Sequence, residues 1–218
     1  MNNDIKILQD TADCVVCIKP SGVTSEDGKV PGMPTLLAED DKKPLVVHRL
    51  DKEVSGVMVF AKTPKAAAEL TRQITDKTFK KEYLAVVSGE AEEHGVLEDL
   101  LYHDRTKNKT YTVKRERKGV KPAKLEFWRL AVAETECGTV SLVKVKLYTG
   151  RTHQIRVQFA SRKLPLLGDR KYGSEVNCQI ALFSRLLGFK LGGNEVEFTA
   201  RPKCIFPWDI FSEILGQI

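Results

Sequence analysis

Short apolar runs, several of them alternating with polar residues, recur along the chain and predict a protein rich in β-strands. The clearest alternation is at 139–147, where Val143, Val145 and Leu147 are interleaved with Lys144 and Lys146. The remaining predicted strands are 5–8, 14–18, 45–47, 57–60, 80–89, 109–114, 124–130 and 195–198. Gly119 marks a turn, so we expect 109–114 and 124–130 to pair as a hairpin.

Helical spacing is confined to a few segments. At 64–74, Ala67, Leu70 and Ile74 form one apolar stripe behind a Thr63 cap and a proline at the first helical position. A second helix is predicted from Thr152 as N-cap, a third over 176–187 with Gly188 as its stop, and a short one near 35–40. Because no repeat or linker interrupts the pattern, we expect one domain over 1–218.

Composition and the lack of recognisable targeting signals limit the class of protein. The 218 residues are 42% hydrophobic and 29% charged, which is ordinary for a globular protein. No apolar run approaches the roughly 20 residues of a membrane span. The start has neither a signal core nor an Arg-rich transit pattern, so we expect a cytoplasmic protein with no membrane association.

The five cysteines are scattered in a way that favours free thiols. Cys14 and Cys17 form a CxxC pair, but no second pair follows at zinc spacing. We therefore interpret both as core residues of a strand.

Positive charge is concentrated in one segment. The chain carries +6, while 103–124 alone carries +7 from nine Lys/Arg and two acids. A local excess of this kind is typical of a polyanion-binding patch, although a solvated basic hairpin has the same composition.

A short polar insert, His48-Arg-Leu-Asp-Lys-Glu53, lies between two apolar strands at 44–62. This insert is either a charged turn between strands or a loop that carries catalytic residues. Asp51 is its best candidate nucleophile, since such a carboxylate must be ionised and cations such as Arg49 and Lys52 favour that form. Carboxylate nucleophiles attack sugar C1′ or electron-poor ring carbons, so a basic protein with one indicates chemistry on a polynucleotide.

A strand-to-helix junction at 150–160 gathers hydrogen-bond donors. Arg151, His153, Gln154 and Arg156 follow Gly150, and such a junction suits anion binding. The alternative is a capped helix with surface arginines. Tyr83, at the start of the strand at 80–89, is by itself more typical of core packing.

Known cofactor and metal motifs are missing from the sequence. It contains no GxxxxGK[ST], GxGxxG, HExxH or zinc-deaminase signature, and its four histidines do not fall at ligand spacing. We expect no metal and no cofactor.

Several segments together resemble the RluA family of RNA pseudouridine synthases. HRLD at 48–51 and GRTHQIR at 150–156 form a specific combination. KPSG at 19–22, KKEY at 80–83 and LLGDRKYG at 166–173 follow the same family order. The resemblance covers roughly 5–210 and implies an α+β fold, with a mixed, mostly antiparallel sheet and flanking helices around a central catalytic cleft.

The resemblance also implies roles for particular residues. Asp51 matches the aspartate that attacks the target uridine, Tyr83 the tyrosine that stacks on its base, and Arg156 the arginine that pairs with the aspartate. Arg49 matches an arginine associated with flipping the uridine, and Ile155 lines the pocket. Arg151 and His153 complete the substrate-binding set.

The partner implied is RNA, either rRNA or tRNA, and we expect a monomer without an obligate protein partner. Many relatives carry a separate N-terminal RNA-binding domain, and we expect this protein to lack one. We therefore expect the basic segment to bind RNA through Arg105, Lys107, Lys109, Lys114 and Arg115. Gln158 stands where the family often has histidine.

Two other functions fit parts of the sequence. One is a non-catalytic RNA-binding module, which need not keep Asp51, Tyr83 and Arg156 together. The other is a metal-dependent nuclease using His48, Asp51 and His153, around which there are few carboxylates.

Overall fold

The computed structural model describes residues 5–218, which form two compact units. The first runs to Glu82 and takes in Phe183–Pro202; the second comprises Tyr83–Leu182 and Lys203–Ile218. The prediction of one domain over 1–218 stays a prediction.

Eleven strands and four α-helices make up the described chain. The strands are β1 Ile7–Asp10, β2 Cys14–Lys19, β3 Leu45–Val46, β4 Ser55–Ala61, β5 Lys80–Ser88, β6 His94–Asp104, β7 Lys109–Val113, β8 Val120–Thr135, β9 Gly138–Leu147, β10 Leu182–Leu191 and β11 Asn194–Thr199. The helices are α1 Met33–Leu36, α2 Pro64–Thr75, α3 Gln154–Ala160 and α4 Ser212–Gln217, with 3-10 turns at Arg170–Tyr172 and Asp209–Phe211.

In the first unit the strand order is β1-β2-β4-β10, with β3 paired to β4 and β11 to β10. The pairing of β10 with β4 is parallel, and the pairs around it are antiparallel. α2 covers this sheet through Leu70, which packs with Val57, Val59 and Leu187 in one core cluster. Thr63 caps α2 as predicted, because its hydroxyl accepts the Ala66 amide at 3.2 Å.

In the second unit the order is β5-β9-β8-β6-β7. α3 packs on one face of this sheet, where Val157 contacts Leu101 and Ala123 and the Phe159 ring lies 5.2 Å from that of Phe127. The sheets are mixed and mostly antiparallel, and helices are few. The predicted α+β class is therefore confirmed.

The cysteines of the CxxC pair are core residues, as predicted. Cys14 and Cys17 are both 0% exposed, and all five thiols are free. Burial raises the pKa of the Cys17 thiol to about 12, which keeps it protonated and unreactive.

Several sequence-based predictions about secondary structure were wrong. The segment 176–187 is not a helix, because strand β10 occupies Leu182–Leu191. Both faces of β10 are buried, so its near-continuous apolar residues match helical spacing as well as they match a strand.

The expected hairpin between 109–114 and 124–130 was also wrong. β6, which the sequence analysis missed, pairs with both β7 and β8 and lies between them. Its acidic residues Glu98 and Asp99 weaken the apolar pattern that marks a strand.

Among the helices of residues 5–218, none is long and apolar enough to cross a membrane.

Candidate active site

Asp51 lies in the loop that joins β3 to β4, and backbone contacts anchor this loop on both sides of it. The Ser25 hydroxyl donates to the Leu50 carbonyl at 2.8 Å and accepts the Leu50 amide at 3.0 Å. The Ser21 hydroxyl donates to the Glu53 carbonyl at 2.8 Å. The Val54 amide donates to the Asp51 carbonyl at 3.0 Å and closes a tight turn. The partly exposed carboxylate therefore stands on a fixed backbone.

Lys19 is a second anchor of this loop that the sequence analysis did not single out. Its side chain is fully buried, and Nζ donates to the carbonyl oxygens of Pro20, Val23 and Lys52 at 2.8, 2.6 and 3.0 Å. Burial lowers the pKa of the Lys19 ammonium to about 8, against the charges of Glu53 and Asp51, which raise it. The available signal was a lysine at the end of a buried strand, directly before the Pro20 turn.

Arg49 and His48, next to this loop, have opposite environments. The Arg49 guanidinium is exposed and lies 3.1 Å from the Glu26 carboxylate. His48 is buried, and its Nε2 accepts the Val59 amide at 3.2 Å. Burial holds the pKa of His48 well below 6.5, so the ring is neutral.

The nuclease alternative gains no support from this geometry. Nε2 of His48 is already used by a backbone amide and is not available to a metal. Across residues 5–218, no group of three or more His, Cys, Asp or Glu side chains could hold a metal ion.

The remaining predicted site residues belong to the second unit. Tyr83 is the fourth residue of β5 and is 6% exposed. Ile155 and Arg156 are in the first turn of α3, and both are buried. Arg151 precedes the helix, and its Nε donates to the Pro122 carbonyl at 3.0 Å.

The start of α3 differs from the predicted Thr152 cap. The N-cap is His153, in the left-handed region with φ 53°, and no side chain caps the helix. Gln154 instead folds back: its Oε1 accepts the Arg151 amide at 3.1 Å and the Thr149 hydroxyl at 2.8 Å. These contacts stabilise the turn before the helix.

A buried ion pair fixes the side chain of Arg156. Its Nε and Nη2 donate to the two carboxylate oxygens of Asp169 at 2.6 and 2.9 Å. The two side chains are 5% and 0% exposed. Asp169 lies inside the matched motif LLGDRKYG, in which we assigned no role to this residue, and the expected pairing of Arg156 with Asp51 stays a prediction.

Tyr172 joins this ion pair to the edge of the sheet. The Arg156 guanidinium lies 5.2 Å from the centre of its ring. The Tyr172 hydroxyl accepts the Thr110 amide of β7 at 2.8 Å and lies 2.9 Å from Nδ1 of His153. Thr110 also donates to the Thr152 carbonyl at 2.8 Å. The second unit thus brings Arg156 and His153 together around a tyrosine that the sequence analysis had not singled out.

The basic segment flanks β7 and is mostly exposed. Arg105 and Lys107 lie in the β6–β7 turn, Lys114 and Arg115 follow β7, and Lys109 at its start is partly buried. The Lys171 ammonium donates to the Asn108 carbonyl at 2.9 Å. This bond ties the β6–β7 turn to the 3-10 turn that contains Tyr172.

Comparison with known proteins defines the family. A profile of the RNA pseudouridylate synthase family matches residues 13–161, about two thirds of the chain. The chain therefore belongs to the RNA pseudouridylate synthase family, which agrees with the resemblance carried by HRLD and GRTHQIR.

Individual relatives match over most of this chain. An uncharacterized RNA pseudouridine synthase of Aquifex aeolicus is 41% identical over 61% of this chain and 40% of its own length. The ribosomal large subunit pseudouridine synthase D of Borreliella burgdorferi is 32% identical over 79% of this chain and 56% of its own. The chain thus spans about half the length of the curated relatives it matches.

Solved structures show the same fold. The human RNA pseudouridylate synthase domain containing 1 superposes with a TM-score of 0.81 over 100% of this chain and 97% of that one, at 21% identity. The human domain containing 4 gives a TM-score of 0.76 over 97% of this chain and 92% of that one, at 22% identity.

Proposed function

We propose that this protein is an RNA pseudouridine synthase that converts uridines in RNA to pseudouridine. The observation that carries the proposal is a family match whose HRLD motif falls on an anchored, partly exposed loop. Relatives named as synthases acting on the large ribosomal subunit favour rRNA as the substrate, with tRNA as the second candidate.

In the proposed reaction Asp51 is the nucleophile. Its carboxylate attacks C1′ of the ribose or C6 of the base, and the C1′–N1 bond breaks. The base rotates and a C1′–C5 bond forms; the bond between the Asp51 carboxylate and C1′ or C6 breaks and returns the free carboxylate, C5 loses its proton and N1 gains one. Atoms and electrons balance without an oxidant or reductant, and we propose that the reaction proceeds without a cofactor or metal.

The other predicted residues serve this step. Arg49 helps flip the uridine, because a stacked base hides C1′ and C5 from a side chain. Tyr83 stacks on the flipped base and takes part in removal of the C5 proton, and Arg156 orients the Asp51 carboxylate. Ile155, Arg151 and His153 contact the nucleotide.

RNA is held by the basic segment through Arg105, Lys107, Lys109, Lys114 and Arg115. Their exposure and local excess of positive charge support binding to phosphates. The protein acts as a monomer in the cytoplasm.

The test uses uridine-containing RNA tritiated at C5. The protein should release tritium without added metal, and Asp51→Asn should abolish release while RNA affinity, measured by fluorescence anisotropy, stays close to wild type. Asp41→Asn, at an exposed aspartate in the same unit, is the matched control. Full activity of Asp51→Asn, or RNA binding without any release by the wild type, would contradict an Asp51-dependent synthase; the second result would favour a non-catalytic binding module.

A further inference from the structure

Four aromatic side chains share the face of the second unit's sheet that lies opposite α3. On β8, Leu125 and Phe127 are buried towards the helix, so Trp128 points to the other side. Tyr102 of β6 and Tyr111 of β7 are direct partners in the antiparallel register, which places them on the same face. We call this the outer face, and its rings are Tyr102, Tyr111, Trp128 and Tyr148.

Each of these rings has a cation against it. Lys144 lies 4.9 Å from the centre of the Trp128 ring, and Arg117 lies 4.9 Å from that of Tyr102. Tyr148 has Lys124 at 5.7 Å and Lys146 at 5.0 Å, and Tyr111 has Lys109 at 5.8 Å. Five such contacts therefore lie on one face of the unit.

Charge on the outer face favours a polyanion. The outer face carries these five cations and three acidic residues, Asp104, Glu98 and Glu126. The exposed basic turns on both sides of β7 border the same face. An open depression lies over the neighbouring strands β6 and β8, lined in part by Leu100, Pro122 and Lys124.

We propose that the outer face binds an unpaired stretch of RNA, whose bases stack on the rings while lysines and arginines contact the phosphates. Flat sheets with aromatic side chains and interleaved cations recognise single strands in this way, because an unpaired base offers a π-face that a duplex hides. The proposal deepens the proposed function and rests on it for the choice of RNA. It specifies a substrate with unpaired nucleotides outside the target uridine.

Lys109 contacts aromatic rings on both faces of the sheet. It lies on edge strand β7, with its ammonium 5.8 Å from the Tyr111 ring and 5.3 Å from the Tyr172 ring. Tyr172 packs on the α3 side, next to Arg156. A single-stranded RNA that lies on the outer face can therefore pass around β7 towards Arg156.

The experiment separates stacking from charge. The binding of labelled oligouridylate and of a blunt RNA duplex of equal length is measured by anisotropy at several salt concentrations. The double variant Tyr111→Leu with Trp128→Leu removes two rings and no charge; Tyr111→Phe with Trp128→Phe keeps the rings. Thermal unfolding checks the fold, and Tyr111→Leu alone, at an exposed position, covers the case of a poorly folded double variant.

We expect the leucine pair to lose about tenfold or more in affinity for oligouridylate, with the duplex affected by less than about twofold. The salt slope should stay unchanged because the cations remain, and the phenylalanine pair should bind as the wild type does. Wild-type affinity of the leucine pair, or equal loss for single strand and duplex, would overturn the proposal. So would a wild-type dimer that the leucine substitutions dissociate, since the outer face would then be an interface between copies.

These binding measurements do not depend on catalysis. Tritium release by the wild type tests the proposed function separately. Ring-dependent binding without tritium release would refute only the synthase, and release with ring-independent binding would refute only the outer-face proposal.

Discussion

Replacing Asp169 by asparagine should remove more folding free energy than replacing an acid in an exposed ion pair. The carboxylate is fully buried and accepts two hydrogen bonds from Arg156, at 2.6 and 2.9 Å. Asparagine keeps the shape but offers one neutral oxygen, so the buried guanidinium loses the compensating charge of Asp169.

The size of the effect follows from burial. Breaking a buried pair by removing one partner costs about 3–5 kcal/mol, a large part of the roughly 5–15 kcal/mol by which a typical protein is stable. For a chain of this length, each kcal/mol lowers the melting temperature by about 2–4 °C, so we expect a fall of about 6–20 °C. The exposed pair between Lys80 and Glu197, at 2.8 Å, is the control. Glu197→Gln should leave the melting temperature close to that of the wild type, because solvent screens an exposed pair.

Urea unfolding of a double-mutant cycle provides the measurement. Arg156→Met and Asp169→Asn should each destabilise the protein, and the double variant should be more stable than the sum of the single effects predicts, by about 1–3 kcal/mol. Additive single effects, or a loss below about 1 kcal/mol in Asp169→Asn, would show that the buried pair does not stabilise the protein as argued.

Three further outcomes are expected. Between about pH 7.5 and pH 5 the buried, neutral His48 should make the protein progressively less stable, because burial holds its folded-state pKa well below 6.5 while the unfolded chain takes up a proton near that pH; His48→Gln should flatten this loss in urea titrations, and an equal slope would contradict it. Gly168→Ala should cost more than about 1 kcal/mol, since φ is +77° and a Cβ would lie 2.4 Å from a carbonyl oxygen, whereas Gly138→Ala, at φ +89° with open space, should cost less; equal melting temperatures would refute the steric argument. Lys107→Gln with Lys114→Gln should reduce the salt slope of single-strand RNA binding by about 1.4, and an unchanged slope would remove these residues from the RNA path.

The local sequence was sufficient to predict an element where residues within that element stabilise it. α2 begins where Thr63 and Pro64 predict, because a side-chain cap and a fixed proline φ act within one turn. β2, β4 and β9 also follow their apolar patterns, and Cys14 and Cys17 are buried in β2 as expected.

Strand pairing could not be predicted from the same patterns. β6 lies between β7 and β8 in the sheet although β7 and β8 are consecutive along the chain. The apolar positions of β10 fit a helix and a strand equally, and the choice depends on the strands beside it.

The candidate site divides in the same way. The sequence by itself determined the family, the motif residues Asp51, Tyr83 and Arg156, and the local excess of positive charge, since each is carried by residue identity and spacing. Only the tertiary structure revealed that Lys19 anchors the Asp51 loop and that Asp169 holds Arg156. Those partners are 33 and 13 residues apart, and which buried polar groups meet at such separations is decided by how the strands and turns pack.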